Sequence, residues 1–517
     1  MTPTDAERID EVQRIAASLE ALEDWENAAK TYQKAVTNFP LEAELWFRTG
    51  FCLARLDDAE GAAHFLEKAS MLAPGTAKYD LELGNVLISL RNLSGAIEAY
   101  KRVQAIEPEN ISANNNIGIA LKEAGLLDEA IAALQHTLRI APEDPVVLAN
   151  YGAALLQAGR SEEALPIMQE ATSRNRHEAN AWSTYAVALQ EQLAIKNAIS
   201  THQKALTLAP ANHSIHYNYA MTLLLNGDYL AGFSEFEHRR KMPDRKPREF
   251  EGTEWNGEDL NGKTILIYAE QGIGDTIQFA RFLSELTQQG AHVIFSIHRS
   301  LLRLGSFFDG VSEVIGPEDR VPIYDFQLPL LSLPKVLRTE LSDVRRSTPY
   351  LRIPPQASSV ENTDKAFKVG LVWAGNPQHV NDRNRSCPFE FLSPLFTIPR
   401  VEWRSLQVGQ RSGDPAAFRA PIANSLTDLS DFADTFSKIQ ELDLVISVDT
   451  SVAHLAGAMG ANVWVMLPYA PDWRWLLNRE DSPWYSTARL FRQTAPKDWS
   501  TVVTNIKNAL IPFCQGP

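Results

Sequence analysis

The residues best suited to chemistry occupy two short stretches, each at a point where a strand-like run becomes a helical one. The first stretch spans Ile265–Phe279 and carries Gly272, Gly274 and Asp275 after its apolar run. Glycines let the backbone approach a ligand closely, and a carboxylate can take a proton from an attacking hydroxyl. Asp275 is therefore a candidate catalytic residue, although the same side chain is also suited to capping the helix that follows.

Two nucleotide-binding motifs fit this first stretch poorly. A dinucleotide site requires a third glycine three residues after the second, and Ile277 stands there. A phosphate loop requires a lysine before Ser or Thr, and the stretch has none. The sequence therefore predicts no cofactor, and without an Asp-x-Asp cluster it predicts no metal site.

The second stretch spans residues 442–455 and places four polar residues after a strand-like run: Asp449, Thr450, Ser451 and His454. Thr450 and Ser451 stand at a predicted helix start, where free N–H groups and the helix dipole favour an anion. His454 follows about one turn later, on the same side. We expect these residues to hold a phosphate and stabilise it as it leaves. The alternative is a capped helix with a buried histidine.

A polar loop follows the strand predicted at residues 368–373. It contains Asn376, His379, Arg383 and Arg385, and it leaves the sheet at the carboxyl edge, where open α/β sheets bind ligands. Arginine side chains suit phosphate or carboxylate groups. These residues are predicted to bind substrate, and Arg383 and Arg385 are the candidates for a phosphate contact. The alternative is a surface loop with solvated charges.

Two further positions are weaker candidates for substrate contacts. Trp473 lies in an aromatic segment, residues 468–475, that follows another predicted strand. Its ring is suited to stacking on a base or sugar, and equally to a place in the core, where tryptophans are mostly found. Gln407 ends a predicted strand and is a candidate for contact with the base or ribose.

Alternating strands and helices in the second half predict a mainly parallel α/β architecture in two lobes. The first lobe is assigned to residues 245–355 and the second to 366–517, with a polar linker at 356–366. A closing helix at residues 499–510 is expected to pack on the first lobe.

The first half, residues 1–244, repeats with a period of 34. Small residues and leucines recur in register, as do the prolines Pro40, Pro74, Pro108, Pro142 and Pro210. A small residue allows two helices to approach closely, and a proline ends the second helix of each unit. About seven helical hairpins are predicted, and this pattern resembles the tetratricopeptide repeat. Such an α solenoid has an extended concave face that binds peptides or proteins.

Asn116, Asn150 and Asn218 share one position of the repeat. An amide offers both a donor and an acceptor to a peptide backbone, and the arrangement resembles the asparagine ladder of O-GlcNAc transferase. These three residues are predicted to line a peptide-binding groove. The alternative is a polar, solvated groove position.

The Gly272–Asp275 and Asp449–His454 segments resemble those of heptosyltransferase-like glycosyltransferases with the GT-B fold. The whole chain is similar to bacterial tetratricopeptide-repeat glycosyltransferases, including those that modify flagellin. The resemblance implies two Rossmann-like lobes, a nucleotide-sugar donor and metal-independent transfer with inversion to Ser/Thr hydroxyls of a protein acceptor. It also implies that Asp275 is the general base of this transfer. The family usually uses a lysine at the leaving phosphate, where this chain has only arginines. A catalytically inactive scaffold and a glycan acceptor are the alternatives.

The overall composition limits the classes of binding partner and the cellular compartment that we expect. The net charge of −15 disfavours nucleic acid, since phosphate backbones require a basic surface. Three widely spaced cysteines give no disulfide or metal pattern, which favours a reducing cytoplasm. The N-terminal residues do not resemble a signal peptide, and no apolar run is long enough to span a membrane.

Overall fold

The computed structural model describes residues 3–514 apart from 243–247, 249, 347–348, 353–365, 380 and 425–428. The contacts within the chain divide it into two compact units, between Ala188 and Leu189. The predicted linker at 356–366 lies outside the described residues except for its last position, and so does most of the segment around the predicted boundary at residue 244.

Helices alone make up the chain from residue 3 to residue 236. Their bounds are α1 (Pro3–Ala21), α2 (Trp25–Asn38), α3 (Ala43–Arg55), α4 (Ala59–Leu72), α5 (Ala77–Ser89), α6 (Leu93–Ile106), α7 (Ile111–Glu123), α8 (Leu127–Ile140), α9 (Pro145–Gln157), α10 (Ser161–Arg174), α11 (Ala179–Glu191), α12 (Ile195–Leu208), α13 (His213–Asn226) and α14 (Tyr229–Phe236). The predicted solenoid of helical hairpins is confirmed.

The 34-residue register has a direct structural cause at three positions of the repeat. Each of the five prolines stands two residues after the end of a helix: α2, α4, α6, α8 or α12. A Cβ added at Gly50, Gly84, Gly118 or Gly152 would come within 3.0 Å of the side chain 16 residues later, so glycine is what allows the paired helices to touch. Asp24, Asp58 and Asn92 accept a hydrogen bond from the N–H three residues on, which caps the next helix.

The α/β part contains two sheets, both wholly parallel within the described residues. The first has the strand order β1-β5-β2-β3-β4, and the second β11-β10-β9-β6-β7-β8. The strands are β1 (Thr253–Glu254), β2 (Thr264–Tyr268), β3 (His292–Ser296), β4 (Glu313–Ile315), β5 (Phe326–Pro329), β6 (Phe367–Val372), β7 (Val401–Ser405), β8 (Ile422–Asn424), β9 (Leu444–Val448), β10 (Val463–Leu467) and β11 (Ala488–Arg492). This arrangement is consistent with two Rossmann-like lobes.

Short helices lie between these strands. They are α15 (Ile273–Phe279), α16 (Leu283–Gln288), α17 (Leu302–Gly305), α18 (Leu333–Val336), α19 (Asp382–Arg385), α20 (Asp414–Ala417), α21 (Phe432–Gln440) and α22 (Ser451–Met459). A longer helix, α23 (Trp499–Cys514), follows β11. No helix among the described residues is both long enough and apolar enough to cross a membrane.

The closing helix α23 does not pack where the sequence predicted. Its buried residues Trp499, Val502 and Ile506 share one apolar cluster with Val369 and Leu371 of β6. That cluster belongs to the second sheet, so the expectation that this helix packs on the first lobe is wrong. An amphipathic stripe specifies that a helix is covered, but it does not specify by which sheet.

The last helical hairpin, α13 and α14, belongs to the same compact unit as the two sheets. Tyr229 and Phe233 of α14 pack against Phe279, Trp473 and Trp484 in a buried aromatic group. The indole Nε1 of Trp484 donates to the hydroxyl of Tyr229 at 3.1 Å. The hairpin is therefore part of the core that supports the α/β lobes.

Candidate functional site

The two strand-to-helix junctions singled out in the sequence meet in space. The first joins β2 to α15 and the second joins β9 to α22, and the two helices pack against each other at their starts. A Cβ added at Gly274 would lie 3.0 Å from Cδ2 of His454 and 3.6 Å from Cα of Ser451. The glycine is thus the point of contact, and it brings Asp275 beside the first turn of α22.

Asp275 uses its two carboxylate oxygens for different partners. Oδ2 accepts a hydrogen bond from the N–H of Gly272 at 3.0 Å, so the side chain does cap its own helix. Oδ1 lies 2.5 Å from Nη2 of Arg474, and 21% of the Asp275 side chain remains exposed. Capping and access to a ligand therefore coexist at this residue.

Arg474 is the centre of the charges at this site. Its Nη1 lies 2.8 Å from Asp472, and its Nε donates to Gln278 at 2.6 Å. Burial alone would lower the pKa of Arg474, but the carboxylates of Asp472 and Asp275 raise it. A buried arginine between two acids holds the Asp275 side chain in one orientation.

His454 is buried and held on both sides. Its Nδ1 lies 2.8 Å from the hydroxyl of Tyr485, its Nε2 lies 3.7 Å from Oδ1 of Asp449, and its ring stacks on Trp475 at 5.5 Å. Burial lowers the pKa of His454 well below its usual value, and nearby arginines lower it further. The imidazole is therefore neutral near pH 7.

Asp449 lies in a strongly desolvated position. Burial raises the pKa of Asp449 to about 6, the charge of Asp472 adds to this rise, and Arg385 opposes it. The backbone carbonyl of Asp449 accepts a hydrogen bond from Nη1 of Arg385 at 3.2 Å. Asp449 thus joins the loop that carries Arg385 to the start of α22.

The start of α22 is not capped by a side chain. The hydroxyl of Thr450 lies 2.9 Å from the hydroxyl of Ser447 instead. Helix N–H groups in the first turn have no partner within the helix, so those of Ser451 and its neighbours are oriented for an external acceptor. The second junction thus lacks the carboxylate cap that closes the first one.

Arg385 is the arginine that the structure brings to this site. Its Nη2 would lie 2.5 Å from a Cβ at Gly375, so the guanidinium lies against the backbone of the loop, and its Nε is 3.3 Å from Asp382. Arg383 is exposed. Of the two arginines named from the sequence, Arg385 is the one in contact with the second junction.

The other loop residues lie at the surface near the same charges. His379 accepts a hydrogen bond from the N–H of Asn381 at 3.2 Å. Burial and Arg385 lower the pKa of His379, while acids that include Asp275 raise it. Asn376 accepts from the N–H of Gln378 at 3.0 Å. Both side chains hold the loop in its conformation, and the pKa of His379 depends on the charges of the site.

Gln407 and Trp473 are both buried, and their contacts are with the protein. The amide oxygen of Gln407 accepts from the N–H groups of Trp373 at 3.1 Å and Ala374 at 2.9 Å. Gln407 therefore anchors the start of the loop that leads to Arg385. Trp473 is 3% exposed in the aromatic group around Tyr229, with the Arg474 guanidinium over its ring at 4.5 Å.

The repeat asparagines form hydrogen bonds with one another. Asn116 donates to the side chain of Asn85 at 3.1 Å, and Asn150 donates to that of Asn115 at 2.9 Å. Asn218 lies in α13, within the second unit. The amides of Asn116 and Asn150 thus belong to a row that runs across neighbouring repeats, and that row includes two residues the sequence reading did not single out.

Sequence reasoning missed Arg474 and Tyr485 as parts of the site. The signal for Arg474 was its place two residues after Asp472 and between Trp473 and Trp475, in the segment that follows β10. A charged pair interleaved with tryptophans signals a buried ion pair as readily as a surface turn. Nothing local marks Tyr485, because its partner His454 lies 31 residues away in the sequence.

Comparison with known proteins gives family matches in the repeat region and one distant relative. Residues 14–75 and 87–150 match tetratricopeptide-repeat families. Protein FlbA of Caulobacter vibrioides is 25% identical over 329 residues, which cover 57% of this chain and 54% of FlbA. The chain thus aligns with about half the length of this relative.

Solved structures with similarity to this chain include two helical proteins. The Cut9–Hcn1 hetero-tetramer of the APC/C matches with a TM-score of 0.39 and 16% identity, covering 45% of this chain and 46% of that one. YrrB, a TPR protein with an unusual peptide-binding site, matches with a TM-score of 0.30 and 20% identity, covering 36% of this chain and 96% of YrrB. From the family matches and the strand order, the chain is a tetratricopeptide-repeat region followed by an α/β region with two parallel sheets, and over part of its length it is similar to FlbA.

Proposed function

We propose that this protein is a glycosyltransferase that moves a sugar from a nucleotide-sugar donor to Ser/Thr hydroxyls of a protein acceptor. The observation that carries the proposal is the contact of Gly274 with His454 and Ser451. This contact places a carboxylate, Asp275, beside a helix start that has no side-chain cap. A proton acceptor and an anion-binding site on opposite sides of one gap are what a displacement at a sugar carbon requires.

In the proposed step, the acceptor hydroxyl oxygen attacks the anomeric carbon from the face opposite the leaving phosphate. The new C–O bond forms as the bond to the phosphate oxygen breaks, and the hydroxyl proton moves to Asp275. Arg474 keeps Asp472 as a partner when Asp275 becomes neutral, so the buried cation stays paired. A single displacement of this kind inverts the anomeric configuration.

The departing nucleotide carries the negative charge away, and the second junction receives it. The N–H groups in the first turn of α22 and the guanidinium of Arg385 are placed to hold the phosphate oxygens. His454 remains neutral and fixes the helix start against Gly274. An arginine thus takes the place that a lysine has in the resembling enzymes, and no metal ion is assigned a role in this step.

The repeats are proposed to present the acceptor. The asparagine side chains around Asn116 and Asn150 are linked across neighbouring repeats by hydrogen bonds. An amide has two donor hydrogens and two acceptor lone pairs, so these bonds leave capacity for the backbone of an extended peptide. The protein acceptor is thereby selected by the repeats and not by the residues around Asp275. The resemblance of the sequence to flagellin-modifying enzymes makes flagellin the first acceptor to test.

The test compares full-length protein with the variants Asp275→Asn and Asp309→Asn. Nucleotides and nucleotide-sugars of CMP, UDP, GDP and ADP are first screened by thermal shift, and transfer to purified flagellin is then followed by intact-protein mass spectrometry. General-base catalysis contributes about 10²- to 10⁴-fold, so Asp275→Asn should lose that much turnover while still binding the donor. Asp309, a surface carboxylate paired with Arg352 at 3.4 Å, is the matched control and should transfer normally.

Three outcomes contradict parts of the proposal. Unchanged turnover in Asp275→Asn removes this residue as the base. Absence of any nucleotide or nucleotide-sugar binding removes the donor site and leaves a scaffold. Transfer to a glycan but not to protein overturns the acceptor class, and variants of Asn116 and Asn150 would then leave KM unchanged.

A further inference from the structure

A cluster of three histidines and one glutamate lies outside the site described above. His213 and His216 stand three residues apart in the first turn of α13. Glu235 and His238 also stand three residues apart, across the end of α14 and the short 3₁₀ helix Glu237–Lys241. Residues three apart on a helix share one face. Because α13 packs against both of these elements, the two pairs face each other.

The side chains converge on a small volume. One possible ligand atom from each of His216, Glu235 and His238 lies within 4.8 Å of the other two. The rings of His216 and His238 stack with centroids 3.8 Å apart. Nδ1 of His213 lies 2.8 Å from Nδ1 of His238. All four residues are partly buried, so the cluster is organised and yet open to solvent.

The hydrogen bonds of His216 leave a lone pair directed at a negative charge. Its Nε2 lies 2.9 Å from the carbonyl oxygen of Pro210, so the ring hydrogen is on Nε2. Its Nδ1 faces a carboxylate oxygen of Glu235. Two atoms that both accept hydrogen bonds face each other only when a cation, a proton or a metal ion, lies between them. A backbone carbonyl on the far nitrogen is also the usual orienting partner of a metal-bound histidine.

We propose that His216, Glu235 and His238 bind a divalent first-row transition-metal ion of the zinc type, with His213 orienting the ring of His238. Two imidazoles and one carboxylate are a ligand set that such ions accept, with remaining positions filled by water. Zinc ligands lie about 2.1 Å from the ion, so side-chain rotations close these atoms around it. The bound ion ties the start of α13 to the end of α14.

The site has no part in the sugar transfer proposed above. It joins the two ends of the hairpin that packs into the core of the α/β unit. The test therefore needs no substrate. Full-length protein without an affinity tag is treated with EDTA, dialysed, and titrated with ZnCl₂ by calorimetry, and Co²⁺ is added separately to record the ligand-field absorption of the bound ion.

The expected result is one Zn²⁺ per chain that raises the melting temperature, with a Co²⁺ spectrum typical of a site with nitrogen and oxygen ligands. His216→Gln and His238→Gln should each lower the Zn²⁺ affinity at least tenfold, the effect of losing one ligand or its support. His292→Gln is the matched control, because His292 lies 3.9 Å from Glu313 as a lone surface pair, and its affinity should equal that of the wild type.

Two results overturn the proposal. One is the absence of stoichiometric Zn²⁺ and Co²⁺ binding by the wild type, which would leave a cluster held by protons alone. The other is unchanged affinity in both histidine variants, verified as folded by circular dichroism, which would place the ion elsewhere. The wild-type Co²⁺ spectrum decides the question even if a variant fails to fold.

Discussion

The two strand-to-helix junctions look alike in sequence but differ in how their helices begin. At the first junction, Asp275 caps α15 through the N–H of Gly272 and is paired with Arg474. At the second, α22 starts without a side-chain cap, and Thr450 pairs with Ser447 instead. One junction thus presents a carboxylate whose position is fixed, and the other presents backbone N–H groups.

This difference shows how one type of strand-to-helix junction can serve two kinds of chemistry. A capped helix start has used part of its hydrogen-bonding capacity and offers a side chain instead. An uncapped start keeps its capacity for a ligand. The sequences differ at the third position of the helix, where Asp275 stands in α15 and Ala453 in α22. Four changes in the protein test this division.

The largest effect is expected for Arg474→Met. The substitution leaves the carboxylates of Asp275 and Asp472 without their buried cation, and breaking such a pair costs about 3–5 kcal/mol. Chemical unfolding of the α/β unit should record this loss, and the orientation of the first junction should be lost with it.

The matched control for Arg474 is Arg303→Met. Arg303 also contacts two carboxylates, Asp431 at 3.0 Å and Asp434 at 2.9 Å, but its side chain is 59% exposed. Exposed pairs contribute at most about 1 kcal/mol, so this variant should unfold nearly as the wild type does. Equal losses in both variants would show that burial does not set the difference.

The second change, Gly274→Val, forces the two junctions apart. A Cβ at this position already meets Cδ2 of His454 at 3.0 Å, and two further methyl groups have no space. Overpacking costs about 1–3 kcal/mol, and turnover should fall by more than the loss of stability explains, because Asp275 moves away from α22. Calorimetric unfolding and transfer assays measure the two effects.

Gly413→Val controls for the addition of a β-branched side chain. A Cβ at Gly413 has no neighbour within 4 Å, and the backbone there needs no positive φ. Wild-type stability and turnover are expected. If Gly274→Val retained full turnover, the contact between the junctions would not matter for the reaction.

The third change, Asp449→Asn, gives a pH-dependent effect at the second junction. Burial raises the pKa of Asp449 to about 6 in the folded protein, above the value of about 3.9 in unfolded chains. The folded state binds this proton more tightly than the unfolded state does. Protonated Asp449 therefore gives its full stabilisation of the fold below about pH 4, and this stabilisation is lost as the pH rises through about 6. The asparagine variant should therefore gain about 1–3 kcal/mol on the wild type at pH 7–8 and nothing at pH 4.

Asp434→Asn is the control in which the pH dependence of stability has the opposite sign. Hydrogen bonds from Ser430, together with Arg303, lower the pKa of Asp434, so its contribution is present at neutral pH and is lost on acidification. Melting temperatures measured from about pH 2 to pH 8 should show Asp449→Asn gaining on the wild type above about pH 4, whereas the deficit of Asp434→Asn, which is full at neutral pH, should disappear only on acidification below about pH 4. Parallel curves would contradict the burial of the Asp449 charge.

The smallest effect is expected for Thr450→Val. It removes the hydroxyl pair with Ser447 while the backbone N–H groups of α22 remain. Losing one such hydrogen bond costs about 0.5–1.5 kcal/mol of folding stability, and the donor affinity in calorimetry should stay within roughly tenfold of the wild type because the backbone N–H groups remain. Thr504→Val removes a hydroxyl that bonds only to its own helix and should leave the affinity unchanged. A loss beyond 100-fold at Thr450 would mean that its hydroxyl, not the N–H groups, binds the donor.

The solenoid was predictable because its packing is repeated. Each glycine of the 34-residue register faces the side chain 16 residues later, and each proline follows a helix end, so one local rule appears many times in the sequence. The longer strands of the α/β half were equally visible, because buried parallel strands are continuous apolar runs. The short edge strands β1 and β8 were not predicted, since they have too few residues to form such a run. The sheet against which α23 packs was not predictable, because an amphipathic stripe shows that a helix is covered but not by which sheet.

The candidate site was only partly readable for a related reason. The residue types at Asp275 and His454 indicated their chemistry, and the glycine between them indicated a close approach. The pairing of Asp275 with Arg474 joins positions 199 residues apart, and no spacing encodes such a contact. Trp473 and Gln407 were ambiguous because the same residue types serve the core and the ligand, and only the burial of their side chains separates the two.

The aromatic group around Tyr229 has a consequence for how such a chain changes length. Excising or duplicating a 34-residue module among α1–α10 leaves Phe279, Trp473 and Trp484 fully covered. A cut at residue 240 removes Tyr229 and Phe233 and opens those indoles to water, with aggregation as the expected fate of the remainder. The number of repeats among α1–α10 can therefore vary without exposing this core, whereas the final hairpin has to stay with the two lobes that it supports.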